Sequence, residues 1–141
     1  MQHALTSEAR HAWLQEWREV YAAGLHAATG QWKIDGFEWH VFSFQHARAR
    51  NSQHSLAAYA AESAPDFVVC PESHRLPAVR LVGARLPQIA GRGSDILVAP
   101  ADLAWTMAFT HEETQEIGPY FSRREWIVAG PRREVPARRQ R

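Results

Sequence analysis

His111, Glu112 and Glu113 stand side by side, an imidazole and two carboxylates of the kinds that move protons or ligate metals. A histidine followed by a glutamate opens the helical zinc-protease motif. That motif needs a second histidine four residues on, and position 115 is Gln. In an extended chain adjacent residues point to opposite faces, so Glu112 and Glu113 are split while His111 shares a face with Glu113. An enzyme built here is expected to be a small hydrolase or a metal-dependent enzyme using His111 with Glu112 or Glu113. Ser43 and Ser122 lack the flanking glycines of a nucleophile elbow, and Cys70 has no local base. His40, His46, His74 and His111 are candidates for a metal site assembled at a distance, yet their spacing matches no ligand pattern. No metal and no cofactor are expected. Gly91-Arg-Gly-Ser94 lacks the lysine and following helix of a phosphate loop, so it is given no nucleotide role.

The residues before His111 must position it, and they alternate at strand period. Trp105, Met107 and Phe109 face one way, Thr106, Ala108 and Thr110 the other. A histidine closing such a strand can also act structurally, donating a ring N–H to a carbonyl or carboxylate and pinning the loop before Gly118-Pro-Tyr-Phe121. Residues 96–98 read as a partner strand joined to 105–110 through Pro100-Ala-Asp102. Residues 67–70 and 79–82 read as further short strands. Residues 37–44, Phe-Glu-Trp-His-Val-Phe-Ser-Phe, are apolar on both faces and read as a strand near the central 105–110. Residues 120–128 close the ordered domain with Phe121, Trp126, Ile127 and Val128.

Two helices are expected. Over residues 7–29, Trp13, Trp17 and Tyr21 recur at four-residue spacing, with Thr6 or Ser7 as cap and Gly30 as stop. A second, short helix starts at Ser52 or Ser55 and runs through Glu62 until Pro65 ends it, with Leu56, Tyr59 and Ala60 on one apolar face. The fold class that follows is α+β, a single domain over residues 1–130 with a mostly antiparallel sheet of four to five strands.

The chain has 141 residues, enough for one domain with a real core, and 45% of them are apolar, an ordinary globular fraction. No apolar run approaches the ~20 residues that span a bilayer, so no membrane association is expected. Met1-Gln-His-Ala-Leu-Thr-Ser-Glu carries no basic segment followed by an apolar stretch, and a secretory leader is not expected. Cys70 is the only cysteine, which rules out an internal disulfide and fits a reducing cytoplasm. It follows Phe67-Val-Val, where a buried, inert thiol is expected.

The net charge of +1 conceals an asymmetry. Residues 131–141 hold Arg132, Arg133, Arg138, Arg139 and Arg141 against Glu134 alone. This basic tail is expected to be disordered and dispensable for folding, since it has almost no apolar surface to bury. Nucleic acid is not expected as a partner and would be reached only through those five arginines, because the other basic residues are scattered along the sequence.

Trp39-His-Val-Phe-Ser43, then Trp105-Thr-Met-Ala-Phe-Thr-His-Glu112 and Gly118-Pro-Tyr-Phe121, resemble the signature blocks of the DUF4275 family over residues 32–124. That is a family of small bacterial proteins defined by sequence and without an assigned activity. The resemblance implies a bacterial origin and a common fold, and brings no catalytic residues. The expected function is a protein-binding module, in its sharper form an immunity or antitoxin-type protein that binds and blocks a partner protein. Thr110, His111, Glu113 and Tyr120 are the candidate binding residues. His111 in a concave pocket beside a second titratable group would favour the enzyme instead.

Overall fold

Thr6 and Gly30 bracket the first helical stretch, and in a computed structural model, which describes residues 1–88, 95–111 and 118–129, that stretch is two helices. Helix α1 is Ser7–Tyr21, with the Thr6 hydroxyl accepting from the Ala9 amide, and α2 is Ala23–Thr29, stopped by Gly30 in the left-handed region at φ 78°. The break falls at Ala22, whose φ of −111° and ψ of 12° leave the helical region. Gly24 then meets the His46 carbonyl, where a Cβ would stand only 3.0 Å away. The expected single helix over 7–29 is corrected accordingly, and the kink seats Leu25 in the same core as Trp13, Trp17 and Tyr21.

Residues 37–44 are not a strand. Asp35 (φ 51°) and Gly36 (φ 83°) turn the chain, an isolated bridge joins Ile34 to Phe37, and His40–Ser43 forms the short helix α3. Aromatic, β-branched composition argued for a strand, but the amides of Glu38 and Trp39 are taken by the Glu72 carboxylate instead of a strand neighbour. The second expected helix is α4, Ser52–Ala60.

The sheet is antiparallel and has seven strands, more than the four to five expected. They are β1 (Gln2–Ala4), β2 (Arg50–Asn51), β3 (Asp66–Pro71), β4 (Val79–Val82), β5 (Ile96–Pro100), β6 (Trp105–Phe109) and β7 (Tyr120–Arg123), in the spatial order β1-β4-β3-β5-β6-β7-β2. The added strands include β1 and β2, both at the sheet's edges and too short to show an alternating pattern. A final helix, α5 (Arg124–Ala129), follows β7 directly. The architecture is a single α+β domain, with five helices among the described residues. None of them is long and apolar enough to cross a membrane.

Strand β6 lies inside the sheet, next to the middle strand β5, with Leu97 opposite Ala108 and Val98 opposite Met107. Its alternation is as read, except that both faces are buried. Trp105, Met107 and Phe109 pack with Tyr59, Phe67 and Phe121 on the α4 side. Ala108 packs with the α1 aromatics, and the Thr106 hydroxyl accepts from the Trp17 indole at 3.0 Å while donating to the Val98 carbonyl at 3.0 Å. A polar atom on the helical face is thereby satisfied inside the core. Cys70 is buried, and desolvation pushes its thiol up to about 11, as suits an inert side chain.

Trp105→Ala removes the largest side chain of the α4-side core and is expected to cost about 3–5 kcal/mol. Urea denaturation measures it. A loss below about 1 kcal/mol, typical of surface positions, would mean that this face of β6 carries little of the core energy.

Candidate functional site

Asp95, just ahead of β5, is the hub of the polar cluster around His111. Its Oδ1 accepts from the Trp39 indole at 2.8 Å, from the His111 backbone amide at 3.1 Å, and lies 2.9 Å from His111 Nδ1. With Nδ1 protonated, the imidazole donates to the carboxylate and its orientation is set. Behind Asp95, the Glu72 amide donates to the Asp95 carbonyl at 2.8 Å. The Glu72 carboxylate accepts from the amides of Glu38 (2.6 Å) and Trp39 (3.2 Å). Glu38 in turn takes a two-pronged contact from Arg18, Nε at 3.1 Å and Nη2 at 2.6 Å. One polar chain therefore runs from the end of β6 through the turn before α3 to α1.

Burial pushes the Glu72 carboxyl up to about 8. The two amides oppose that rise, and the neighbouring Glu38 and Asp95 carboxylates add to it. Phe37 and Trp39 form an aromatic wall on His111, with ring centroids 5.2 and 5.6 Å away.

The sequence-derived site residues are dispersed. Thr110 is fully buried, its hydroxyl without a hydrogen-bond partner among the described residues, and a Cβ on Gly118 would collide with it. Tyr120 is buried under Trp39, ring centroids 6.1 Å apart. Glu112, Glu113 and the five tail arginines lie outside the described residues. His111 has the titratable partner that catalysis requires, but 39% of its side chain is exposed and it lines neither of the cavities found. His40 engages Ser43 Oγ at 2.8 Å, His46 lines the larger cavity, and among the described residues no group of three His, Cys, Asp or Glu is placed to hold a metal.

That larger cavity is a cleft of about 1060 Å³, bounded by the α1–α2 junction, α3 and the loop to β2, and the β7–α5 corner. Arg48, Arg124, Trp126, Tyr120 and Phe42 are among its walls. The Arg48 and Arg50 guanidiniums stand 5.3 and 5.6 Å from the Trp126 ring centroid. Phe44, beside the lining residues Ser43 and Gln45, is 52% exposed. Of these residues the sequence reading had singled out Tyr120 alone for binding. It also missed Asp95, Glu72, Glu38 and Arg18. Glu38 carried one usable signal, a carboxylate set within an aromatic run, which calls for a cationic partner when buried.

A family described as a domain of unknown function (DUF4275) matches residues 6–121. No curated protein and no solved structure matches the chain. The matched range takes in the whole Arg18–Glu38–Glu72–Asp95–His111 chain, whereas Arg124 and Trp126 of the cleft lie beyond it.

Two outcomes follow. Asp95→Ala strands the fully buried Trp39 indole N–H and is expected to cost about 1–3 kcal/mol. His111→Ala should cost less, because Asp95 keeps Trp39 and the imidazole is partly solvated. Urea denaturation of both variants checks the order, and the reverse order would remove Asp95 as the hub. Glu72 gives the second. Its folded value of about 8 lies above its ordinary 4.5, so the native state holds a proton that the unfolded chain has shed. Stability should fall as pH rises from about 4.5 to about 8, and Glu72→Gln should flatten that decline in denaturation series across the window. An unchanged slope would place the titration elsewhere.

Proposed function

This chain belongs to the DUF4275 family, and we propose that it is a protein-binding module that engages its partner through the cleft between α1–α2, α3 and α5. The observation that carries this reading is the coincidence in one place of a cleft of about 1060 Å³, walls of Arg48, Trp126 and Tyr120, and the exposed Phe44 at its edge. Arginine, tryptophan and tyrosine are the side chains that most often anchor protein interfaces. A large exposed aromatic beside a concave site adds apolar area that a partner can cover. In its finer form the proposal is an immunity or antitoxin-type protein that occupies and blocks its partner. The second reading, a small hydrolase or metal-dependent enzyme, has the His111–Asp95 pair in its favour, a carboxylate-oriented imidazole of the kind general bases use.

A photo-reactive amino acid placed at Gln45, inside the cleft, and at Leu76, exposed on the loop before β4, distinguishes these readings in cells. Partner adducts from position 45 and not from position 76 are expected. No adduct from position 45, or a hydrolytic activity lost in a stably folded His111→Ala variant, would overturn the binding reading.

A further inference from the structure

We infer that the cleft takes an acidic segment of the partner protein, with carboxylates held by Arg48 on its wall and by Arg50, which shares the Trp126 ring with Arg48. The inference rests on the binding reading above. Arg48 and Arg50 lie two apart in the chain entering β2, both exposed, and both guanidiniums converge on the Trp126 ring at 5.3 and 5.6 Å. Three other arginines are neutralised within the fold, Arg18 by Glu38, Arg80 by Asp66 and Arg123 by Glu62, and Arg10 is spent on the backbone carbonyls of Pro71, Ser73 and Leu76. Neither Arg48 nor Arg50 has a carboxylate partner among the described residues. Two like charges gathered on one indole repel, and an anion bound between them relieves that repulsion.

Stacking on an aromatic face fixes the plane of a guanidinium and leaves its N–H edges pointing away from the ring. Those edges match the two oxygens of a carboxylate, so the arginines are ordered for a paired contact before the partner arrives. Arg124 is the second arginine on the cleft wall, and it donates to the Asp102 carbonyl at 2.9 Å. His46 also lines the cleft. Among the described residues, Glu19 is the one acid lining the cleft, against Arg48 and Arg124.

Other occupants fit less well. Single-stranded nucleic acid needs open aromatic faces for base stacking. Tyr120 and Phe42 are each only 4% exposed and pack on one another, and Trp126 already carries two guanidiniums. A lone phosphate would fill a small part of about 1060 Å³. Residues 131–141, with five arginines to one glutamate, have the wrong sign to enter this cleft.

Calorimetric titration of the full chain at low salt with a short oligoglutamate peptide tests the assignment. Oligolysine, inorganic phosphate and oligothymidylate form the comparison arms. Oligoglutamate alone is expected to bind, at least about tenfold more weakly to Arg48→Gln/Arg50→Gln and with unchanged affinity to Arg75→Gln, which removes an exposed arginine away from the cleft. Trp126→Leu, which removes the platform but neither cation, should weaken it in part. Absence of oligoglutamate binding, equal binding by the double variant, or binding of phosphate or oligothymidylate at the same arginines would overturn the acidic assignment. Partner adducts from position 45 together with indifference to oligoglutamate would fail the acidic assignment and leave the cleft reading standing. Loss of the adducts would fail the cleft reading itself.

Discussion

Carboxylates do the work of a neighbouring strand in the turn that leads into α3. The amides of Glu38 and Trp39 both end on Glu72, and the Trp39 indole ends on Asp95. Glu72 keeps its proton up to about 8 and still accepts both amides, and leaving those buried donors unmet would cost about 1–3 kcal/mol each. The placement of these hydrogen bonds decides where Trp39, Val41 and Phe42 go, and those side chains roof the helical face of the sheet. The Arg18–Glu38 contact then ties the same turn to α1. Without the two acids, the turn ahead of Phe42 and Ser43 would lose its polar anchor and rest on core packing, while the loop to β2 would keep the Ser122 hydroxyl on the Arg48 carbonyl.

Trp39 links the two polar regions of the molecule. One side of its indole faces His111 at 5.6 Å, and Tyr120, a wall of the cleft, stacks at 6.1 Å. The His111 cluster and the cleft therefore share a buried ring without sharing a ligand. This separates their duties. Around Asp95 the charged groups are spent on one another and on backbone amides, which makes the region a clamp. Around Trp126 the cations are exposed and unspent, which makes the region receptive.

Strand β6 was legible in the sequence because burial on each face demands apolar or small residues at period two, and Trp105 to Phe109 supply them. The α1 stripe of Trp13, Trp17 and Tyr21 was legible for the corresponding helical reason. The turn at 37–44 was not, since what diverts it from strand to helix is a carboxylate 34 residues further on, invisible to any local pattern. The edge strands Gln2–Ala4 and Arg50–Asn51 are defined by pairing alone. In the candidate site, His111 could be singled out by its position at a strand end, but Asp95 sits after a glycine-rich stretch with no periodicity to mark it. Arg48, Arg50 and Trp126 come together only when β2 pairs with β7 and brings Arg50 opposite Phe121.

Net charge was a poor guide for the same reason. A value of +1 describes a chain in which some acids are spent on arginines that hold the fold: Glu38 on Arg18, Glu62 on Arg123 and Asp66 on Arg80. What remains uncompensated is local. Arg48 and Arg50 place two exposed cations on one indole, and Phe44 stands half in water nearby in the chain. Departures from local consistency concentrate at functional sites, where a ligand returns what the free protein gives up. On the proposed reading an acidic segment would supply that return at the cleft, whereas the His111 imidazole and amide already settle on a single carboxylate.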